Sequence, residues 1–364
     1  MEGMPSSVAG FSGLIIGIAA GYAMRRSRLC TFAAIEDAAL GGDLRRLKAF
    51  ALALAVALAG TQALVATGLL DPRLTAYTPT AWPWAGALLG GLLFGTGMAL
   101  VGTCALGSLV RLGGGDLRSL VVLLVFGLVA HATLRGPFTG VRTEFLDRLA
   151  LPLPGLAQGD LATALAAAEL PQARMLCVLG LGLALVCWAL YDGRLRAARR
   201  LLLAGVVIGA CVAAGWIATA VLPDPLDTTV RPQSLNFVAP VARAIAAGMF
   251  GVGVAADFGV ASVLGVVLGA LFAARSAEEF RWEAFDDQRE MRRHLLGAAL
   301  MGVGGVIAGG CTIGQGMSAA SLLALSAPLA IAGMLIGARA GIFVLVEGIS
   351  IRSWLRPRRP ARPE

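Results

Sequence analysis

The chain has 364 residues, of which 57% are hydrophobic and only 14% are charged, and its mean hydropathy is +0.79. Because a soluble domain carries about 25% charged residues, this composition excludes an ordinary soluble protein and predicts a helical protein that crosses a lipid bilayer many times. The net charge of +8 comes from arginines scattered between apolar segments, which argues against nucleic-acid binding. With only two histidines and no closely spaced cysteine pair, we predict no metal and no cofactor.

Apolar segments long enough to cross or enter a bilayer recur along the whole chain. They lie at about 8–24, 48–70, 84–101, 118–134, 173–191, 201–222, 238–255, 258–274, 295–309 and 327–347. They predict an all-α polytopic membrane protein with nine or ten transmembrane helices, some of them interrupted. No cleavage site follows the first segment, so we expect it to be a retained span and not a signal peptide.

Arginine placement predicts the orientation, because cytoplasmic loops carry an excess of Lys and Arg. The basic loops are 25–48, 111–118, 194–200, 275–293 and the tail at 348–364. An amino terminus on the periplasmic side and a carboxyl terminus in the cytoplasm fit these loops if one segment between 137 and 274 crosses incompletely. Which segment that is stays open.

Two stretches outside the apolar segments also carry predictions. The stretch 137–171 is too polar to span, and we expect an external loop with a short amphipathic helix at about 160–170. The stretch 275–293 has charges of both signs, which predicts a solvated helical hairpin or an interfacial helix.

A glycine-rich stretch near the end of the chain, 309–316, reads Gly-Gly-Cys-Thr-Ile-Gly-Gln-Gly between two apolar segments. Each glycine costs about 1 kcal/mol relative to alanine inside a helix, so these residues predict a broken backbone. Irregular backbone at membrane depth occurs where it is buried in protein or lines a cavity. Cys311, with Gly310, Thr312 and Gln315 beside it, is therefore predicted to lie on a re-entrant loop of a transport pathway.

An internal repeat relates this stretch to the region around Cys104. When Cys104 is laid over Cys311 without gaps, four glycines coincide as well: Gly95, Gly97, Gly102 and Gly107 fall on Gly302, Gly304, Gly309 and Gly314. The predicted topology brings the two turns in from opposite sides, as in transporters with inverted repeats. We therefore predict a single transmembrane domain, 1–364, with repeat halves at 8–134 and 237–347, a linker with extra helices at 135–236, and a tail at 348–364.

Three cysteines are candidates for the pathway. Cys104 and Cys311 lie in the glycine turns, and Cys30 has a similar context directly after the first span. The stretch 257–262 is a weaker counterpart of the Cys30 region. A thiol is a weak hydrogen-bond donor with a polarizable sulfur, and weak contacts at several points suit permeation. The remaining cysteines, Cys177, Cys187 and Cys211, are expected to pack as small apolar side chains.

Polar neighbours complete the candidate site. Thr103, Thr312 and Gln315 can supply hydrogen bonds to an anion, and Gly310 lets the backbone approach it. Arg111 either attracts an anion at the inner mouth or only marks the cytoplasmic side; the sequence leaves both interpretations open.

Four stretches carry a resemblance to a known family. They are Arg28-Leu29-Cys30-Thr31-Phe32, 109–118, 257–262 and 310–316. In them the chain resembles the YeeE/YedE family of bacterial inner-membrane proteins, which take up thiosulfate and related sulfur compounds. The resemblance runs from about 28 to 318, and the middle region, 135–236, has no matching motif.

The resemblance implies an hourglass-shaped helical transporter, not an enzyme, whose loops dip to the centre from both sides. Cys30, Cys104 and Cys311 stand at the family's three cysteine positions, where thiosulfate is thought to pass by successive S–H···S hydrogen bonds. It also implies, for some relatives, a small TusA-like sulfur carrier protein in the cytoplasm, which would be a separate partner here.

Two other functions stay open at this point. The transported species can be another sulfur or selenium anion, such as sulfite or sulfide. Alternatively, the chain is a membrane thiol sulfurtransferase that passes persulfide sulfur to a carrier, which requires an accessible thiol of low pKa. The coupling ion, the oligomeric state and the partner are not fixed by the sequence.

Overall fold

The computed structural model describes residues 4–153, 158–167, 172–222, 231–250 and 257–347. These ranges are almost entirely helical, with one two-residue antiparallel pair between β1 (Ala81–Trp82) and β2 (Leu151–Pro152). The helices are α1 (Met4–Ser27), α2 (Thr31–Glu36), α3 (Arg45–Ala66), α4 (Trp84–Val101), α5 (Ala105–Gly113), α6 (Leu117–Arg135), α7 (Thr139–Val141), α8 (Leu161–Ala167), α9 (Ala173–Leu190), α10 (Gly193–Ala197), α11 (Arg199–Ala220), α12 (Ala239–Phe250), α13 (Phe258–Ser276), α14 (Gln288–Ile307) and α15 (Ser326–Glu347). The predicted tail at 348–364 lies outside the described residues.

The predicted all-α polytopic fold is confirmed. In the described ranges, seven helical stretches are long and apolar enough to cross a membrane. Helices α9 and α14 have 18 and 20 residues but miss that set, because the apolar part of α9 is short and α14 opens with charged residues. By length alone, these two bring the described part of the chain to nine crossings.

Helix α12 is described from Ala239 to Phe250, where this described range ends. Which segment between 137 and 274 crosses the membrane incompletely therefore stays a prediction.

Close helix packing explains much of the glycine content. Helix α1 lies against α13, where a Cβ at Gly17 would be 3.0 Å from the Cα of Gly265. Helix α4 lies against α15 in the same way, and a Cβ at Gly333 would be 3.1 Å from the Cα of Gly91. Small residues at such crossings let helix backbones approach within a membrane, where packing drives association. The first and second parts of the chain are thus interleaved.

The basic loops meet at one face of the molecule, as the orientation argument expects. Arg28 pairs with Glu279 at 3.1 Å, and Lys48 pairs with Asp192 at 2.7 Å. The loop after α5 joins the same face, since Leu117 N–H donates to the carbonyl of Glu283 at 2.8 Å. These contacts bring four basic loops together; which side of the membrane they occupy stays a prediction.

The prediction of a helical hairpin or interfacial helix at 275–293 was wrong for most of that stretch. Helix α13 ends at Ser276, α14 begins at Gln288, and the chain between them is irregular. Its N–H groups at Arg281 and Glu283 donate to the carbonyls of Gly114 and Gly115, each at 3.1 Å. These hydrogen bonds to Gly114 and Gly115 take the place of the intrahelical hydrogen bonds that a helix in this segment would have formed.

A second group of loops closes the opposite face. Helix α3 connects the two faces, because its start lies among the basic loops while Gln62 near its end donates to the carbonyl of Ser321 at 2.8 Å. The predicted external loop with a short helix is seen as a strap leading into α8. It is held by Leu161 N–H to Leu323 O at 2.9 Å and by Leu325 N–H to Gly159 O at 3.0 Å.

Candidate functional site

Two broken helices present cysteines with the same backbone geometry. Helix α4 runs into Gly102 and helix α14 into Gly309, and both glycines have φ of +75°. This left-handed conformation is easily adopted by glycine and ends each helix. Two residues later come Cys104 and Cys311, both completely buried. The glycine spacing that aligned these stretches in sequence therefore marks one local structure built twice, while the inverted repeat itself stays a prediction.

Each of these thiols caps the next helical turn. The Sγ of Cys104 accepts from the backbone N–H of Gly107 at 3.3 Å, and the Sγ of Cys311 accepts from that of Gly314 at 3.4 Å. A side chain at the N-cap usually satisfies one of the free N–H groups of a helix. Here sulfur does so, which holds each thiol at the break in the backbone while its S–H hydrogen stays available.

Cys30 begins a third turn of this kind, but its thiol makes no capping hydrogen bond and no glycine precedes the turn. It is the N-cap of α2, and the residue two positions before it, Arg28, has φ of +53°. A non-glycine residue in the left-handed region costs about 1–2 kcal/mol, so the packing around the turn holds Arg28 there. Cys30 is half-buried, and its Sγ lies 3.5 Å from the hydroxyl of Thr103.

The structure brings Cys30, Thr103 and Cys104 together around Gly107. A Cβ at Gly107 would lie 3.2 Å from Cys30 Sγ and 3.5 Å from Cys104 Sγ, and it would collide with the Thr103 hydroxyl. Glycine is therefore required at this position by the side chains that surround it. Three of the residues predicted from sequence form one cluster.

A hydroxyl contact links this cluster to the second turn. Thr31, next to Cys30, donates to the hydroxyl of Thr312, next to Cys311, at 3.3 Å. Among the described residues, no hydrogen bond joins Cys311 directly to either of the other two candidate thiols. The predicted site residue Thr312 thus lies where the two turns meet.

Gln315 and Gly310 support the second turn. The side-chain amide of Gln315 donates to the carbonyl of Ala308 at 2.7 Å, and its oxygen accepts from Ser326 at 3.4 Å. Gly310 packs against the Gln315 backbone, where a Cβ would lie 3.2 Å from its nitrogen. The Ala308 carbonyl at the end of α14 is thereby satisfied. A direct contact of Gln315 or Gly310 with a substrate stays a prediction.

Arg111 lines a cavity of about 310 Å³ that opens at the basic face and leads to the first thiol cluster. The cavity is lined by Met24, Arg25, Arg28, Leu29, Cys30, Ala33, Thr103, Gly107, Val110, Arg111 and Glu279. The Arg111 guanidinium also donates to the carbonyl of Gly102 at 2.9 Å. It therefore supports the end of α4 and places positive charge at the mouth of the cavity.

Sequence reasoning missed one residue that contacts the second turn. The side chain of Asn236 faces Gly314 as that of Cys30 faces Gly107, and a Cβ at Gly314 would lie 2.9 Å from the Asn236 oxygen. The available signal was weak: a buried leucine, Leu235, precedes it, as Leu29 precedes Cys30. The predicted counterpart at 257–262 instead begins α13, whose N-cap Asp257 pairs with Arg243 at 2.5 Å.

The other cysteines lie within ordinary helices. Cys177 and Cys187 belong to α9, and Cys211 belongs to α11. Cys211 is buried, and its thiol points at the carbonyl of Ile16 at 3.7 Å. Their positions agree with a packing role.

Broken helices that carry polar groups inside a polytopic helical protein are typical of membrane transporters. The sequence profile of the family described as Sulphur transport matches residues 26–340. The chain therefore belongs to this family and is a multi-pass membrane transporter of sulfur compounds, not an enzyme.

Three relatives illustrate the similarity. A thiosulfate transporter TsuA of Escherichia coli is 30% identical over 365 aligned residues, covering 96% of this chain and 96% of the relative. A thiosulfate transporter TsuA of Spirochaeta thermophila is 28% identical, covering 88% of this chain and 94% of the relative. A probable transporter YedE of Escherichia coli is 30% identical over a shorter part, 27% of this chain and 23% of the relative.

Proposed function

We propose that this chain imports thiosulfate across the bacterial inner membrane along a path formed by Cys30, Cys104 and Cys311. The observation that carries the proposal is that all three cysteines begin a helical turn, each two residues after a left-handed residue. The thiols of Cys104 and Cys311 also cap that turn. Relatives similar over nearly the whole chain are named thiosulfate transporters, which supports the substrate. The position of Cys30 and Cys104 around one glycine supports the path.

The chemistry of the thiols suits a sulfur-bearing anion. Thiosulfate presents a soft outer sulfur and three oxygens, and a neutral S–H group can donate a weak hydrogen bond to that sulfur. Conduction needs binding that is favourable enough for entry and weak enough for release. A buried arginine at the centre would hold the anion too tightly, whereas arginines at the mouth raise its local concentration. Arg111 has this position at the rim.

The orientation follows from the same charges. We place the amino terminus in the periplasm and the basic face in the cytoplasm, because Lys and Arg accumulate on the cytoplasmic side. The cavity that leads to Cys30 then opens inward. Single cysteines introduced into the α5–α6 turn should react with an impermeant thiol reagent only after the cells are opened.

A cytoplasmic carrier of the TusA type is the proposed partner. A depression of about 760 Å³ lies beside the Cys30 cavity and shares Arg25, Arg28 and Glu279 with it. Several further arginines line it, and hydrogen bonds from Arg45 lower the pKa of Asp43 at its edge. The excess of arginine gives the depression a positive field that favours an acidic protein surface.

Uptake by proteoliposomes that contain only this protein tests the function. Thiosulfate labelled at its outer sulfur should enter without ATP or any carrier, and Cys104→Ala and Cys311→Ala should each abolish entry. Cys211→Ala is the matched control, because it removes a buried thiol outside the proposed path and should keep wild-type uptake. Wild-type uptake by both path variants would eliminate the thiol path, and absence of uptake by the wild type would remove thiosulfate import as the function.

A further inference from the structure

A polar pair beside Cys311 has no part in the thiol path. Asn236 precedes α12, and its side-chain N–H donates to the hydroxyl oxygen of Tyr77 at 3.2 Å. Asn236 lies at the second turn, where it packs against Gly314, the residue whose backbone N–H donates to the Cys311 thiol at 3.4 Å.

The hydrogen bonds of this pair fix which atoms donate. The backbone N–H of Val238 donates to the Asn236 oxygen at 3.1 Å, so the amide nitrogen must be the atom that faces Tyr77. The Tyr77 oxygen is therefore an acceptor in this contact, and its own O–H hydrogen points elsewhere. Within the described ranges that hydrogen has no acceptor, although only 8% of Tyr77 is exposed. Burying an unpaired donor is unfavourable, so this O–H group can gain a hydrogen bond from an anion that binds at the turn.

The Tyr77 ring is held firmly in this position. It packs edge-on against Trp216, with ring centroids 6.2 Å apart. The indole N–H of Trp216 in turn donates to the hydroxyl of Ser321 at 3.4 Å. The phenol is thus fixed by packing and does not rely on the Asn236 contact alone.

The two turns pair a half-buried group with a fully buried thiol but differ in chemistry. Half-buried Cys30 and buried Cys104 both lie next to Gly107, whereas half-buried Asn236 and buried Cys311 both contact Gly314. The more accessible group is a soft thiol in one case and an N–H and O–H donor pair in the other. Oxygen acceptors prefer N–H and O–H donors, which form shorter and stronger hydrogen bonds than S–H groups.

We propose that Asn236 and Tyr77 bind the oxygen atoms of a sulfur oxoanion at the Cys311 turn, with its outer sulfur directed at the thiol. This inference rests on the proposed function and adds an oxygen-recognising subsite to it. The pair orients thiosulfate and makes recognition depend on both ends of the anion. Tyr77 and Asn236 are then specificity-determining residues for the oxygen end of the anion, and Cys311 contacts its outer sulfur.

The concentration dependence of thiosulfate uptake in proteoliposomes tests the subsite. Tyr77→Phe keeps the ring on Trp216 and removes only the hydroxyl; it should raise KM about tenfold, as expected for a lost hydrogen bond to a charged acceptor, with little change in maximal rate. Asn236→Asp keeps the oxygen that accepts from Val238 but replaces the donor with a negative charge, and should raise KM further. Asp287→Ala, which removes the N-cap of α14 away from the site, should keep the wild-type KM.

The outcomes separate the subsite from the path. Wild-type KM in Tyr77→Phe and Asn236→Asp, with Cys311→Ala inactive, would overturn the subsite and leave the path standing. A lower maximal rate with unchanged KM, together with a lower melting temperature in detergent, would also overturn it, because that pattern belongs to a purely structural pair. Active Cys311→Ala and Cys104→Ala variants would instead remove the thiol path.

Discussion

The turns at Cys104 and Cys311 are alike in backbone and unlike in support. In both, a side chain from the following segment satisfies a carbonyl near the end of the preceding helix. Arg111 does so for Gly102 from the rim of a cavity, whereas Gln315 does so for Ala308 from a fully enclosed position. One turn is thus supported by a charged group at the mouth and the other by a neutral amide.

This difference shows which features a cysteine turn requires. The left-handed residue, the thiol at the N-cap and the glycine three residues later occur at both turns. The groups that hold and line the turns differ, and they give the two ends of the proposed path different chemistry: thiol and guanidinium at one, amide and phenol at the other.

The largest expected effect comes from the glycines that face the path. Gly107→Ala would place a methyl group against Thr103 and Cys30, and Gly314→Ala would place one against Asn236. Overpacking of this kind costs about 1–3 kcal/mol, so each variant should reduce the initial rate of thiosulfate uptake by about tenfold or more. Gly316→Ala is the matched control, since its nearest neighbour would be 4.0 Å away. Equal uptake by Gly314→Ala and Gly316→Ala would show that the turn is not tightly packed.

The support of the turns predicts the next effect, on stability. Gln315→Ala leaves the Ala308 carbonyl buried and unpaired, which costs about 1–3 kcal/mol, and should lower the melting temperature in detergent. Ser108 occupies the aligned position at the first turn, and its buried hydroxyl has no partner among the described residues. Ser108→Ala should therefore leave the melting temperature unchanged or raise it. A larger loss in Ser108→Ala than in Gln315→Ala would contradict the assignment of Gln315, and not Ser108, as the side chain that supports its turn.

The backbone of the two cysteine turns could be predicted from sequence, but the side chain of Asn236 beside the second turn could not. Glycines two before and three after Cys104 and Cys311 are local signals, because each marks a conformation or a contact that excludes a side chain. Asn236 has no such signal. Its role depends on packing against Gly314, a residue distant in the chain, and a single asparagine at a helix start is ordinary capping chemistry.

In the loops, too, features with a local sequence signal could be predicted, and features that depend on distant contacts could not. The basic loops were expected at one face, because charge reports the side of a membrane directly. The prediction of a helix between α13 and α14 was wrong, since that segment bonds to the carbonyls of Gly114 and Gly115. The incomplete crossing was placed only within the interval 137–274, because charge reports the side of each loop and not how deeply a helix enters the membrane.

The left-handed residues Gly102 and Arg28 should differ in how their substitution changes stability, by a smaller amount than in the variants above. Gly102 has φ of +75° and an empty space where a Cβ would be, so Gly102→Ala should cost only the backbone term, about 1 kcal/mol. Arg28→Gly removes the same strain at the third turn and loses an ion pair whose arginine is 75% exposed, a contact worth little. The melting temperature in detergent should fall in the first variant and stay equal or rise in the second. A marked fall in Arg28→Gly would assign the Glu279 contact a structural role.

The smallest effect is expected from charge at the Cys30 mouth. Arg111→Gln should reduce thiosulfate release toward the basic face, or uptake from it, by about two- to threefold at low ionic strength, because a cation at a cavity mouth concentrates anions. The effect should shrink at 0.5 M salt, where screening acts over a few ångströms. Arg73→Gln, an exposed arginine paired with Asp71 in the loop between α3 and α4, should change neither rate. A loss in Arg111→Gln that persists in high salt would show that Arg111 acts by supporting the Gly102 carbonyl. Its charge would then have no role in concentrating the anion at the cavity mouth.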